Sequence, residues 1–248
     1  MSTGKSIGLW VLAVVLMASL AIYQRMTGPT YPIKGSVKIS GKEIDYKLPR
    51  SHGGKTDAPV EIKVKDDDIS GEIKYRRYPS HNDWTYADIK RSGNKLTFNI
   101  PNQPPAGKIR YEIFLTDGEK EVNLSERPVN IRFKGEVPKH FLYPHIFFMF
   151  LAMCFSMRTG FEVLFGGNKV WLLTLLTTIL LFCGGIILGP IIQLYAFGDL
   201  WAGWPLGDDL TDNKTIVAFI MWIVALIVIR KKPEKKMWAL AASVIMLT

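Results

Sequence analysis

The spacing of apolar positions changes character twice along the chain. An uncharged run from Ile7 to Tyr23, between Lys5 and Arg25, is about 17 residues long, which at about 1.5 Å per residue just crosses a hydrocarbon core. From Thr30 to Gly135 the apolar residues alternate instead, at Val37/Ile39, Ile44/Tyr46/Leu48, Val60/Ile62/Val64, Ile73/Tyr75, Leu96/Phe98/Ile100, Ile109/Tyr111/Ile113 and Val129/Ile131/Phe133. Continuous runs then return at Phe141–Met157, Val170–Phe197 and Ile216–Ile229, the last extendable back towards Thr211. This order predicts an α+β membrane protein. A transmembrane anchor or signal segment occupies residues 1–29, an extracytoplasmic β-sandwich 30–138, and a transmembrane helical bundle with three full spans and an incomplete fourth 139–248.

Each alternating set lines one face of a half-buried strand. Turn signals at Ser40-Gly41, Pro49 to Gly54, Ser92-Gly93-Asn94, Pro104-Pro105-Ala106-Gly107 and Asp117-Gly118 separate the sets and leave no room for crossover helices. Seven or eight short antiparallel strands are therefore expected, resembling immunoglobulin or fibronectin III modules in strand number and length; a likeness of that kind carries no chemistry. The region has no cysteine, so its core depends on strand packing and on Tyr75, Tyr78, Trp84, Tyr86 and Phe98.

In the third span Gly184, Gly185, Gly189 and Pro190 allow close helix contact and remove a backbone donor, so a kink is expected there. A fifth run, Met237–Thr248, is too short to cross. A helix stopped in mid-bilayer would strand its last carbonyls, so the chain is expected to continue past Thr248. Ser19-Leu20-Ala21 offers a small-x-small cleavage site, yet the first run exceeds a usual signal core and is read as an uncleaved anchor.

The net charge of +9 is explained by topology. Lys5, Arg158 with Lys169, Arg230-Lys231-Lys232 and Lys235-Lys236 fall on one side if every span crosses once, which makes that side cytoplasmic. The sandwich and an acidic loop, Gly198 to Asn213, then share the other side. The charge implies no nucleic-acid partner; the partner it implies is the lipid bilayer.

Several motifs carry a resemblance. Tyr195-Ala196-Phe197-Gly198, Trp201-Ala202-Gly203-Trp204-Pro205-Leu206-Gly207 and Asp209-Leu210-Thr211-Asp212-Asn213-Lys214-Thr215 resemble the signature loop of an uncharacterised family of bacterial inner-membrane proteins. Arg76-Arg77-Tyr78-Pro79, Gln103-Pro104-Pro105-Ala106-Gly107-Lys108 and Pro144-His145 are similar to the same family. The resemblance implies an inner (plasma) membrane location and a last span leading to a short polar tail with another histidine. It implies no activity.

Among residues that could carry chemistry, His140 and His145 stand five apart, about 140° around a helix, so they do not share a face. Either is a candidate ligand for haem iron or copper, with a partner from another segment; otherwise His140 is solvated and His145 hydrogen-bonds a neighbouring helix. Asp208, Asp209 and Asp212 with Lys214 form a candidate cation or loop site; otherwise Thr211 or Asp212 caps the fourth span and Trp201 and Trp204 sit in an aromatic belt. Arg76, Arg77, Tyr78 and Trp84, with Trp201 and Trp204, are candidates for docking a partner. Arg158 and Glu162 are spaced as an ion pair, Cys154 and Cys183 lack a spaced partner, and Asp66-Asp67-Asp68 reads as a turn. No nucleophile elbow, P-loop, dinucleotide fingerprint or HExxH occurs, and the single glycine-proline break gives no support for a transporter with inverted repeats. The expectation is a non-enzymatic accessory or scaffold subunit that presents its sandwich to a membrane-protein partner or complex, the alternative a haem- or metal-binding redox subunit.

Overall fold

The computed structural model describes residues 2–247, which form an α+β chain of two compact units, one of residues 25–136 and the other of residues 2–24 with 137–247.

The first unit holds eleven strands: β1 (Ile33–Ile39), β2 (Lys42–Leu48), β3 (Ser51–Gly53), β4 (Ala58–Lys63), β5 (Ser70–Tyr78), β6 (Thr85–Asp88), β7 (Lys90–Ser92), β8 (Lys95–Ile100), β9 (Lys108–Thr116), β10 (Glu121–Asn123) and β11 (Val129–Lys134). They make three sheets that do not close on one another: the hairpin β1-β2; a six-stranded sheet in the order β3-β11-β9-β5-β6, with β10 on β9; and β4-β8-β7. The alternation has a direct outcome. Ile39, Leu48, Ile62, Ile73, Leu96, Ile100, Ile109, Tyr111, Ile131 and Phe133 all enter one core to which every sheet contributes. The β1-β2 hairpin turns through Ser40 (φ 50°) and Gly41 (φ 72°), the pair of left-handed conformations that suits a two-residue loop.

Two features depart from the expected pattern. There are more strands than the period-two sets, because β3, β6, β7 and β10 are only three or four residues long, too short to show a period. One pairing is parallel: β3 lies beside β11, with Arg132 opposite Ser51 and Lys134 opposite Gly53. Pro49, which lacks an N–H, follows the last residue of β2, and the chain leaves that hairpin to join the edge of the larger sheet. The buried Tyr111 hydroxyl pins the crossing by donating to the Pro49 carbonyl at 2.8 Å.

The second unit is helical: α1 (Thr3–Thr27), α2 (Lys139–Leu164), α3 (Val170–Leu181), α4 (Gly189–Phe197), α5 (Leu210–Lys231) and a short α6 (Met237–Ile245). A π-helical segment, Phe182–Leu188, joins α3 to α4, so Val170–Phe197 is one helix of 28 residues. With α1, α2 and α5, of 25, 26 and 22 residues, it makes four helices among the described residues that are long and apolar enough to cross a membrane. The break foreseen in the third span is this π segment: the Gly189 N–H donates to the Gly184 carbonyl five residues back, which accommodates Pro190 without ending the helix.

Contacts among these helices are made by small residues. Ala152, Ala218, Ala225, Ala239 and Ala242 surround the fully buried Trp222. A Cβ on Gly184 would lie 2.9 Å from that of Phe148, and one on Gly185 2.8 Å from Thr215 Cγ2, so α2 and α5 approach here as only glycine allows. Thr174, Thr177 and Thr178 are buried and donate to the carbonyls four residues before them, which satisfies their hydroxyls without water. α1 buries only Leu9 and Ala13 and docks through Trp10 edge-on to Phe155, leaving most of its circumference exposed and apolar.

Candidate functional site

The α4–α5 loop is built around two carboxylates. Asp209 is the N-cap of α5, accepting from the N–H groups of Thr211 (2.9 Å) and Asp212 (3.2 Å); neither Thr211 nor Asp212 is the cap, because the helix begins one residue before Thr211. Asp212, buried in the first turn, turns its carboxylate into the loop instead, where it accepts from the Ala202 N–H and from Gln193 Nε2, both at 2.8 Å. Asn213 accepts from the Trp204 N–H at 2.6 Å, and the Trp201 indole donates to the Trp204 carbonyl at 3.1 Å. A Cβ on Gly203 would stand 2.7 Å from that of Asp212, so the loop closes on the helix only because glycine is there.

Of the acidic set, Asp209 and Asp212 are thus occupied with backbone and amide donors, while Asp208 and Lys214 are exposed. Trp201 is half-buried as a strut. Trp204, Leu206 and Leu210 project from the loop at 75%, 78% and 72% exposure. The loop is thus hydrogen-bonded within and presents apolar side chains outward.

At the same end of the bundle Phe141 stacks on Tyr195 at 5.9 Å between ring centres. His140 is exposed, with its ring 4.4 Å from that of Phe141. His145 reaches the π segment: Nδ1 lies 2.9 Å from the Gly184 carbonyl oxygen, and since a carbonyl only accepts, Nδ1 carries the proton. When the ring is neutral its lone pair is then on Nε2. Among the described residues no three of His, Cys, Asp and Glu gather as a metal-binding group. Cys154 is buried and Cys183 partly so, and both are free thiols.

Towards the C-terminal end of α2, Arg158 and Glu162 approach to 2.7 Å with side chains 2% exposed. The contact is ionic and lacks hydrogen-bond alignment, for neither Arg158 Nη1 nor Glu162 Oε2 makes a hydrogen bond. Glu162 Oε1 accepts from the Lys169 N–H at 2.9 Å, while Arg158 donates to Ser6 Oγ at 3.3 Å and lies over the Trp10 ring, 5.5 Å from its centre. The pair joins α1, α2 and the turn before α3.

On the six-stranded sheet the proposed docking residues separate by strand parity. Lys74, Arg76 and Tyr78 share one face of β5, and Arg77 lies on the other. On the first face Arg76 lies over Trp84 at 4.5 Å and Lys74 over the same ring at 5.0 Å, while Arg110, supplied by β9, lies over Tyr78 at 4.0 Å and donates to Asn130 Oδ1 at 3.0 Å. Lys74 also pairs with Glu112 at 3.1 Å. Arg110 and Glu112 escaped the sequence reading because they belong to the polar parity of a strand recognised by its apolar one; only the register, Lys74 opposite Glu112 and Arg76 opposite Arg110, brings them here. In the same unit Asp66-Asp67-Asp68 forms a turn in which Asp66 pairs with Lys42 and Asp67 with Arg91, which also donates to the Asp66 carbonyl.

No family model and no curated protein matches the chain.

Proposed function

We propose that this protein is a membrane-anchored accessory subunit of the bacterial inner membrane, whose sheets form an immunoglobulin- or fibronectin-like sandwich held on the extracytoplasmic side to dock a membrane-protein partner. The single core shared by all three sheets supports the sandwich, and the basic residues that flank the four apolar helices support the orientation. The observation that carries the reading is the aromatic–cation face of β5, β6 and β9. The Arg76, Lys74 and Arg110 cations sit over the Trp84 and Tyr78 rings at 4.0–5.0 Å from their centres, so three long side chains are already held before any partner arrives. Trp, Tyr and Arg are the residues that dominate protein interfaces. The mass of the complex extracted gently from native membranes tests the reading. A stoichiometric partner that is lost in Trp84→Ala and Arg110→Ala is expected, and a wild-type protein that is strictly monomeric overturns it.

A second reading rests on His145, whose fixed tautomer leaves Nε2 able to ligate haem iron or copper with a further ligand from elsewhere. Elemental analysis for iron and copper separates the two readings. About one metal per chain, lost in His145→Ala, favours the redox subunit.

A further inference from the structure

The first unit contains a cleft of about 750 Å³ lined by β2 (Asp45, Tyr46, Lys47), the Arg50-Ser51 corner and β4 (Pro59, Glu61, Lys63), together with Arg25. Its lining is unbalanced in charge. Arg25, Lys47, Arg50 and Lys63 face it, and of its two acids Glu61 is engaged by Lys95 at 2.7 Å, an interaction that holds the Glu61 carboxyl below the usual range. That leaves Asp45 alone against the cations. Cations gathered to this degree repel one another, and the repulsion is relieved when an anion enters.

We propose that this cleft binds a phosphate-type anion, with Arg50 and Lys47 as its principal contacts and the Ser51 and Tyr46 hydroxyls as neutral donors. Arginine offers a planar fork that matches two phosphate oxygens and lysine a point charge, so the pair suits a tetrahedral dianion or diester better than a carboxylate. Two sources present that chemistry. Arg25 stands two residues beyond Tyr23, where the uncharged run of α1 ends, so one source is an anionic lipid headgroup. A free phosphate or phosphorylated solute presents the same oxygens from the aqueous side.

The test uses the full chain in zwitterionic detergent, titrated separately with dioctanoyl phosphatidylglycerol, dioctanoyl phosphatidylcholine and inorganic phosphate, with bound species counted by native mass spectrometry. Wild type is expected to bind the phosphatidylglycerol or the phosphate and to ignore the phosphatidylcholine. Lys47→Gln/Arg50→Gln is expected to weaken that binding about tenfold or more, since two charge-assisted contacts go. Asp45→Asn is expected to tighten it about threefold by removing the opposing charge, a gain that a misfolded variant does not produce. Binding of phosphatidylglycerol without phosphate assigns the lipid source, and competition by phosphate assigns the soluble one. The proposal is overturned if neither anion binds, if phosphatidylcholine binds equally, or if the double variant binds as wild type does. None of these readouts depends on a protein partner, so the docking reading stands or falls separately.

Discussion

Single carboxylates do different work in the two units. Asp212 holds the 198–209 loop from within, through the Ala202 N–H and the Gln193 amide. Asp212→Ala strands both donors in a buried place and is expected to cost about 2–4 kcal/mol, whereas Asp212→Asn keeps one acceptor and costs about half of that. Thermal melts in one detergent, followed by Trp201 and Trp204 emission, check the ranking. Asp117 is exposed to titration instead. Its carboxyl is held at about 2, below the ordinary 3.8, first by the Ser40 hydroxyl and then by the N–H groups of Lys120 and Glu119. A depressed folded-state pKa contributes stability that is complete above about pH 4 and fades as pH falls towards 2. Asp117→Asn is therefore expected to remove that part of the acid dependence, and Ser40→Ala to raise the carboxyl's pKa, as a carboxyl-detected NMR titration shows.

Among the elements, α2 carries the ion pair that the spacing of Arg158 and Glu162 predicted. The apolar run ends at Met157, the helix continues to Leu164, and both side chains are buried. The reason is tertiary: Ser6 and Trp10 of α1 cover Arg158, and the Gly167 turn brings the Lys169 N–H onto Glu162. Arg158→Leu leaves a lone buried carboxylate and is expected to cost about 3–5 kcal/mol, most of it recovered in Arg158→Leu/Glu162→Leu because an apolar pair needs no solvation. Melting temperatures of the two variants in the same detergent decide this; a double variant no better than the single one refutes it. The same contrast marks what the sequence could carry. Period-two runs declared the long strands, and uninterrupted apolar runs declared the four long helices, because burial imposes those patterns on every residue of an element. The partners of Arg76 and Tyr78, the covering of Arg158 and the cap at Asp209 rest on register and on chain segments far apart in sequence, which no local period records.

At the level of the whole chain, the charge distribution and the span lengths make one joint statement that experiment can break. With four crossings, the residues that flank α1, α2, α3 and α5 put Lys5, Lys169 and Arg230-Lys231-Lys232 on one side, and every one of them is a cation. On the proposed orientation the sheets and the 198–209 loop are both on the other side. The native thiols, Cys154 and Cys183, are replaced by alanine, and single cysteines are placed at Lys120 and at Lys232. In whole cells a membrane-impermeant maleimide that reaches the periplasm is expected to label the Lys120→Cys protein, and the Lys232→Cys protein only after the inner membrane is opened. Adding two lysines next to Asp208 sharpens the test. Orientation follows the balance of cations in short loops, so this change should lower the fraction of correctly oriented chains, whereas two added glutamates should leave it nearly unchanged. Equal labelling of both cysteines in intact cells would remove the basis for an extracytoplasmic docking face, since the sheets and the cationic loops would then share a compartment.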